Sequence, residues 1–263
     1  MGINKTQVDK ALLRIKKAKK SSEMVIVYGD YDADGIAGTA VVWECLHTLG
    51  LNVLPYIPER FSESYGLNVE SIKKLKKEYP NLRLIVTVDH GIVANKKVDV
   101  ANELGIDVII TDHHQPGPSK PKAFAVLHTV KIGGAAVAWI FAREIRKKFN
   151  ISDSKFRLGT GLELAAIGTI ADQLSLIGPN RSFAKYGLID LNKTKRPGLL
   201  AIFEEAALVK GEIGGYEVGF MIAPRLNASG RLKHAIESLR LICTSKSGRA
   251  KELAKYLGRI NSE

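Results

Sequence analysis

Four short apolar runs rich in β-branched residues recur in the first half of the chain, at residues 24–28, 53–57, 84–88 and 108–111, with helical patterns between them. Runs of this length read as buried strands. Strands separated by helices form parallel sheets, because a parallel neighbour is reached only through a crossover. The sequence therefore predicts an α/β fold, a doubly wound and mostly parallel sheet. Helical spacing over 4–20, 36–49, 69–78 and 100–104 supplies the connections, with Gly50, Pro80 and Gly105 as stops. After a turn-rich segment at 116–121 the pattern becomes mostly helical. Helices are expected over 135–149 and 162–171, then several beyond Phe183, separated by Pro197-Gly198, Gly214-Gly215 and a loop from Arg225 to Arg231. Residues 1–182 are expected to form the α/β catalytic domain. Residues 183–263 are expected to form a C-terminal helical extension packed on it, ending at the start of an interdomain helix. Residues 251–263 read as a helix without a stop signal, as in a piece of a longer protein.

Hydrophobic residues make up 45% of the 263, enough for a sizeable core and too many for a disordered chain. Lys and Arg number 39 against 27 Asp and Glu, a formal net charge of +12 that favours a polyanionic partner. Cys45 and Cys243 each fall in a helical pattern and read as small core residues of a reducing compartment, outside any disulfide or zinc framework. The Lys-rich N-terminus has no apolar centre and is no secretory signal. No run approaches the length of a membrane span, so a cytoplasmic location is expected.

In a parallel sheet, ligands bind outside the carboxyl ends of the strands. Three predicted strands end there in acids and imidazoles. The first delivers Asp30, Asp32 and Asp34, the third Asp89 and His90, the fourth Asp112, His113 and His114. A further acid, Asp172, closes the apolar helix at 162–171. Any one of these acids is explained as a turn or helix-cap residue. Three clusters brought to one crevice favour a metal site. Carboxylates with imidazoles suit manganese, magnesium or zinc, and gathered anions need a cation. With two ions, one carboxylate can bridge, and Asp89 stands between the other clusters. His47 and His234 fall on predicted helices and read as ordinary residues, His128 follows a strand and stays undecided, and His90 either lines the site or binds.

The motifs Asp30-Tyr-Asp-Ala-Asp-Gly35, Val88-Asp-His-Gly91, Asp112-His-His114 and Gly168-Thr-Ile-Ala-Asp172 resemble those of the DHH phosphoesterase superfamily. Pro58-Glu-Arg-Phe-Ser-Glu-Ser-Tyr-Gly66 and Ala223-Pro-Arg-Leu-Asn-Ala-Ser-Gly-Arg231 are similar to segments of its RecJ branch, single-strand-specific exonucleases of DNA repair. The resemblance implies that Asp32, Asp34, Asp89, His113 and Asp172 hold two divalent ions, manganese before magnesium, with Asp30 close by. It implies that His114 meets the scissile phosphate while Asp112 orients its neighbours. Arg60, Arg225 and Arg231 would contact phosphates, their guanidinium forks matching the oxygens, and Asn227 would hold its loop or touch a sugar. For each arginine the plainer reading is a surface ion pair, for Arg60 with Glu59 or Glu63. The implied partner is single-stranded DNA cut from the 5′ end, with a single-strand-binding protein or helicase as candidate protein partners. The second, DHH-associated domain and OB-fold of RecJ proteins have no counterpart here, and the segment 126–134 is shorter than in that branch. Two alternatives stay open: a phosphodiesterase of short oligonucleotides or cyclic dinucleotides, and a non-catalytic DNA-binding scaffold. Aromatic residues are few, and Phe61 with Tyr65 is the one suggestive stacking pair near a motif.

Overall fold

Successive side chains of β1 (Met24–Tyr28) pack into different layers. Val25 and Val27 join one hydrophobic cluster, Met24, Ile26 and Tyr28 the other. This is the two-residue period of a strand buried on both faces. The structure, a computed structural model, describes residues 2–60, 62–63, 65–156, 158–231 and 236–262, without the side chain of Arg231. His234 and Phe61 lie outside the described residues.

The other strands are β2 (Asn52–Tyr56), β3 (Leu82–Val88), β4 (Asp107–Asp112) and β5 (Ala125–His128). All pair in parallel, in the order β2-β1-β3-β4-β5. The doubly wound parallel sheet read from the sequence is the architecture observed. The strand β5, which ends at His128, adds a fifth member at one edge. The other edge strand, β2, is partly exposed and accommodates Pro55, which a central ladder would not.

One face is covered by α1 (Lys5–Lys20), α2 (Ala33–Thr48) and α5 (Gly134–Lys148), the other by α3 (Val69–Glu78) and α4 (Asn95–Glu103). Asn4 and Asn68 start α1 and α3 by accepting backbone N–H groups of the first turn. The α2 helix begins three residues before the expected position, because Asp32 caps it by accepting the Gly35 N–H at 2.8 Å. Asp34 therefore sits in a helical turn and not in a loop.

Beyond β5 and α5 the chain forms α6 (Leu162–Ala171), α7 (Gly178–Asn192), α8 (Pro197–Glu205), α9 (Gly215–Glu217), a π-helical turn (Val218–Ile222), α10 (Ala223–Ala228), α11 (Ile236–Cys243) and α12 (Ser247–Ser262). The expected loop from Arg225 to Arg231 is instead α10 followed by a 3-10 turn, Ser229–Arg231. Its Pro, Asn and Gly suggested a loop, but Pro224 follows directly on the π-helical turn, a local widening of the helix of the kind that accommodates a proline. These helices share one hydrophobic cluster with α1, α2 and α5, and α7 runs across position 182/183. Within that cluster Arg196 is fully buried. It reaches Glu44 of α2 at 2.6 Å, Glu163 of α6 at 3.2 Å and the Ile242 carbonyl of α11 at 2.8 Å. Cys45 is buried, Cys243 partly so, and both are free thiols. Among the described residues no helix is long and apolar enough to cross a membrane.

Candidate metal centre

The chain leaves β1 for β2 on one side and later returns to β3 on the other, so the strand order reverses at the β1–β3 boundary. Such a switch point opens a crevice at the carboxyl ends of the strands. Asp30 follows β1, and its Oδ1 accepts the Tyr31 N–H at 2.7 Å. Asp34 is buried where α2 meets the start of α5. Its Oδ2 accepts the Gly134 N–H at 2.8 Å and its Oδ1 the Ala135 N–H at 2.9 Å. The unpaired amides of a helix N-terminus thus fix this carboxylate. Asp89 follows β3 in the left-handed region, with φ of +67°. Its N–H bonds the Thr111 carbonyl at 2.9 Å, and the Tyr65 hydroxyl donates to the Asp89 carbonyl at 3.2 Å. A non-glycine residue held there by surrounding bonds is strain of the kind that clusters at functional sites.

Asp89 Oδ1 is buried without a hydrogen-bond partner and lies 3.1 Å from His113 Nε2. The same nitrogen is 3.8 Å from Asp34 Oδ2 and 3.6 Å from Asp172 Oδ2, at the end of α6. Three groups of donor atoms each fall within 4.8 Å of one another: Asp30, Asp32 and Asp89; Asp34, His113 and Asp172; and Asp89, His113 and His114. Asp89 and His113 each belong to two of them.

Burial, then the charge of Asp32, pushes the carboxyls of Asp30 and Asp34 up to about 7. Asp89 is raised well above the ordinary carboxylate range by burial and then by Asp34, and Asp172 is raised by burial and then Asp32. Burial, then neighbouring His114, lowers His113 to about 4, so its imidazole is neutral at neutral pH with a nitrogen free to coordinate. Crowded buried oxygens that resist ionisation, one of them unpartnered, beside a neutral imidazole fit a divalent cation.

Two glycines shape this cradle, Gly168, which opens the fourth motif, and Gly134, which the sequence reading missed. A Cβ on Gly134 would stand 2.2 Å from Asp89 Oδ1, and one on Gly168 would stand 2.1 Å from Asp34 Oδ1. The sequence signal for Gly134 was faint, a Gly133-Gly134 pair opening an apolar helix.

The remaining candidates separate by position. Burial would raise Asp112, but hydrogen bonds from the His114 side chain and backbone, at 2.8 and 3.0 Å, and from the Ile92 N–H at 2.8 Å hold it down at about 2. His114, raised by its bond to Asp112, is half-exposed with Nε2 3.2 Å from the Tyr65 hydroxyl. His128 Nε2 donates to the His114 carbonyl at 2.7 Å and so braces the loop. His90 neither lines the crevice nor reaches a ligand group. It is buried beneath, donates from Nε2 to the Tyr28 carbonyl at 3.0 Å, and is lowered to about 4 by that burial. Arg60 is exposed and stacks over Tyr31, its guanidinium 5.6 Å from the ring centre. Of the two acids expected to pair with Arg60, Glu63 is bound by Tyr56, Ser71 and the Glu59 N–H, and Glu59 accepts the Ser62 hydroxyl. Arg225 pairs with Glu205 and donates to the Met221 carbonyl at 2.8 Å. Asn227 accepts the Ala33 N–H at 2.7 Å and so holds the segment that carries the first acids. The Arg231 side chain lies outside the described atoms.

The family described as DHH family, N-terminal domain, matches residues 24–169, more than half of the chain. The chain belongs to the DHH family. The single-stranded-DNA-specific exonuclease RecJ of Bacillus subtilis (strain 168) is 40% identical over 259 residues, 95% of this DHH chain and 32% of that protein. A crystal structure of exonuclease RecJ bound to manganese superimposes with a TM-score of 0.89 at 33% identity, over 100% of this chain and 66% of the other. RecJ of Thermus thermophilus in complex with Mn2+ gives 0.85 at 32% identity, over 100% of this chain and 38% of the other. The DHH chain thus spans about a third of the length of its Bacillus subtilis relative.

Proposed function

We propose that the chain is the catalytic part of a RecJ-like exonuclease, hydrolysing single-stranded DNA from the 5′ end with two divalent ions, manganese in preference to magnesium. The observation that supports this best is the pair of shared donors, Asp89 and His113, each standing in two overlapping ligand groups around the unpartnered Asp89 Oδ1. In this reading Asp32, Asp34, Asp89, His113 and Asp172 hold the ions, and Asp30 completes the Asp32 side. When bound, paired ions make water a nucleophile near neutral pH and stabilise charge on the phosphate oxygens. The chain's own contribution is position. The α5 N-terminus fixes Asp34, and the Asp112 carboxylate fixes the ring of His114, whose half-exposed Nε2 edge, 3.2 Å from the Tyr65 hydroxyl, is assigned to the phosphate. Arg60, exposed at the rim, supplies a guanidinium fork, and Arg231 is assigned the same role. Residues 1–182 form the catalytic domain in this reading and 183–263 the extension. The 5′ polarity, a role in DNA repair and a cytoplasmic location are part of the same proposal.

The test is hydrolysis of a 5′-labelled single-stranded DNA in manganese, in magnesium and in chelator, beside a labelled dinucleotide. Manganese-dependent release of the labelled mononucleotide from the long strand is expected. Activity confined to the dinucleotide would replace this reading with a short-oligonucleotide phosphodiesterase. Metal uptake with neither strand cut would replace it with a scaffold.

A further inference from the structure

One wall of the crevice runs from Gly215 through the π-helical turn and α10 to the turn at Ser229–Arg231. Two contacts on one flank fix its direction. A Cβ on Gly219 would stand 3.9 Å from Ile170, two residues before Asp172, and Asn227 accepts the N–H of Ala33, next to Asp32. At its far end Gly230 lies against Tyr31, the ring over which Arg60 stacks. Beside that flank, around the helix toward solvent, Tyr216 and Phe220 stand one turn apart. They are 66% and 71% exposed, with ring centres 5.0 Å apart and planes 32° from parallel. Isolated exposed aromatics need no explanation. A pair of tilted rings in contact, with Phe220 on the π-helical turn about 10 Å along the helix from the Asn227 that braces the acid loop, asks for one.

We infer that Tyr216 and Phe220 form a stacking platform for the bases of a single-stranded nucleic acid whose backbone enters the metal crevice. The inference rests on the exonuclease reading above. The pair offers flat apolar faces that accept any base, and the chain's charge of +12 draws in the phosphates. The opposite side of the helix is closed, since Arg225 there is tied to Glu205 of α8.

The experiment compares two strands of equal length in manganese: phosphorothioate-linked oligothymidine, which resists hydrolysis, and its abasic counterpart. Affinities are read by fluorescence anisotropy for the wild type, the double variant Tyr216→Ala/Phe220→Ala and the double variant Tyr216→Trp/Phe220→Trp. The wild type should prefer the strand with bases. The alanine pair should weaken that strand about tenfold and leave the abasic strand unchanged, while the tryptophan pair keeps the preference. Equal weakening on both strands, or none on either, would overturn the platform. A wild type that cuts and binds DNA without preferring bases would remove the platform and spare the exonuclease reading. A wild type that binds neither strand would remove both.

Discussion

Asp89 is where two ligand groups meet, so its carboxylate is the single change that should dismantle both. Asp89→Ala is expected to reduce hydrolysis to background and to abolish the rise in Tm that manganese gives the wild type, since a bound ion stabilises only the folded state. In chelator the variant should melt no lower than the wild type, because it loses a buried carboxyl that resists ionisation. Wild-type turnover in Asp89→Ala would end the two-ion assignment. The same crowding sets a pH dependence. Asp30 and Asp34 have folded values of about 7 against an ordinary 3.8. A carboxyl raised on folding contributes stability that is present below 3.8 and lost as pH rises through 7. His90 and His113, lowered to about 4 from 6.5, act in the opposite direction, but only below 6.5. Between pH 6.5 and 8 the carboxyls act together with His114, whose imidazole, raised by its bond to Asp112, loses its contribution in the same direction. The chelated protein should therefore lose Tm across that window, and saturating manganese should remove the loss; a flat profile in chelator would contradict it. The acids and His113 were legible in the sequence because strand ends in a parallel sheet converge. The burial of His90 was not, because a histidine after a strand can turn toward the crevice or beneath it, and packing by Tyr28 decides which.

The α5 helix positions the site through its first turn, where Gly134 and Ala135 bind Asp34 and the Gly134 backbone backs directly onto Asp89. Alanine is normally the better helix residue by about 0.5–1 kcal/mol. Here its methyl would occupy a point 2.2 Å from Asp89 Oδ1, so the carboxylate must move. Gly134→Ala should lower manganese affinity about ten- to a hundredfold, as displaced supporting groups do at metal sites, and far-UV circular dichroism should stay native. Manganese titration by calorimetry is the check, and wild-type affinity would refute the close approach. Most elements could be read from their apolar periods and stops. The starts of α2 and α10 could not. Asp32 is both a ligand candidate and the cap of α2, and the Pro, Asn and Gly near α10 are loop residues by composition that a helical backbone here tolerates. For Arg225 the partner of the ion pair was not legible, for a related reason. Its pairing with Glu205 depends on how α10 packs against α8, which spacing along the chain does not encode.

At the scale of the molecule, the sheet layer and the C-terminal helices share one hydrophobic cluster that extends from Val8 to Leu257, and Arg196 is a deep polar joint within it. The guanidinium satisfies Glu44 on α2 and Glu163 on α6 and ties both to the end of α11 through the Ile242 carbonyl. Three segments distant in sequence are therefore locked in register behind the site, on the helix whose N-terminus carries Asp34 and the helix that ends at Asp172. Burying such a charge is costly, and removing only one partner leaves the others uncompensated. Arg196→Met fills similar volume yet strands two carboxylates, so it should cost about 3–5 kcal/mol of stability. Because the cluster is continuous, that loss should appear as one cooperative transition at lower urea, with the same midpoint by far-UV circular dichroism and by the fluorescence of Trp43 and Trp139. Replacing all three partners together, Glu44→Gln/Glu163→Gln/Arg196→Met, should recover part of the loss, since no unpaired charge is then buried. Two separated transitions in Arg196→Met would mean that the helical extension unfolds independently of the sheet and that the joint serves only its own end of the molecule. A single transition that shifts by less than about 1 kcal/mol would mean that water reaches Glu44 and Glu163 once the guanidinium is gone.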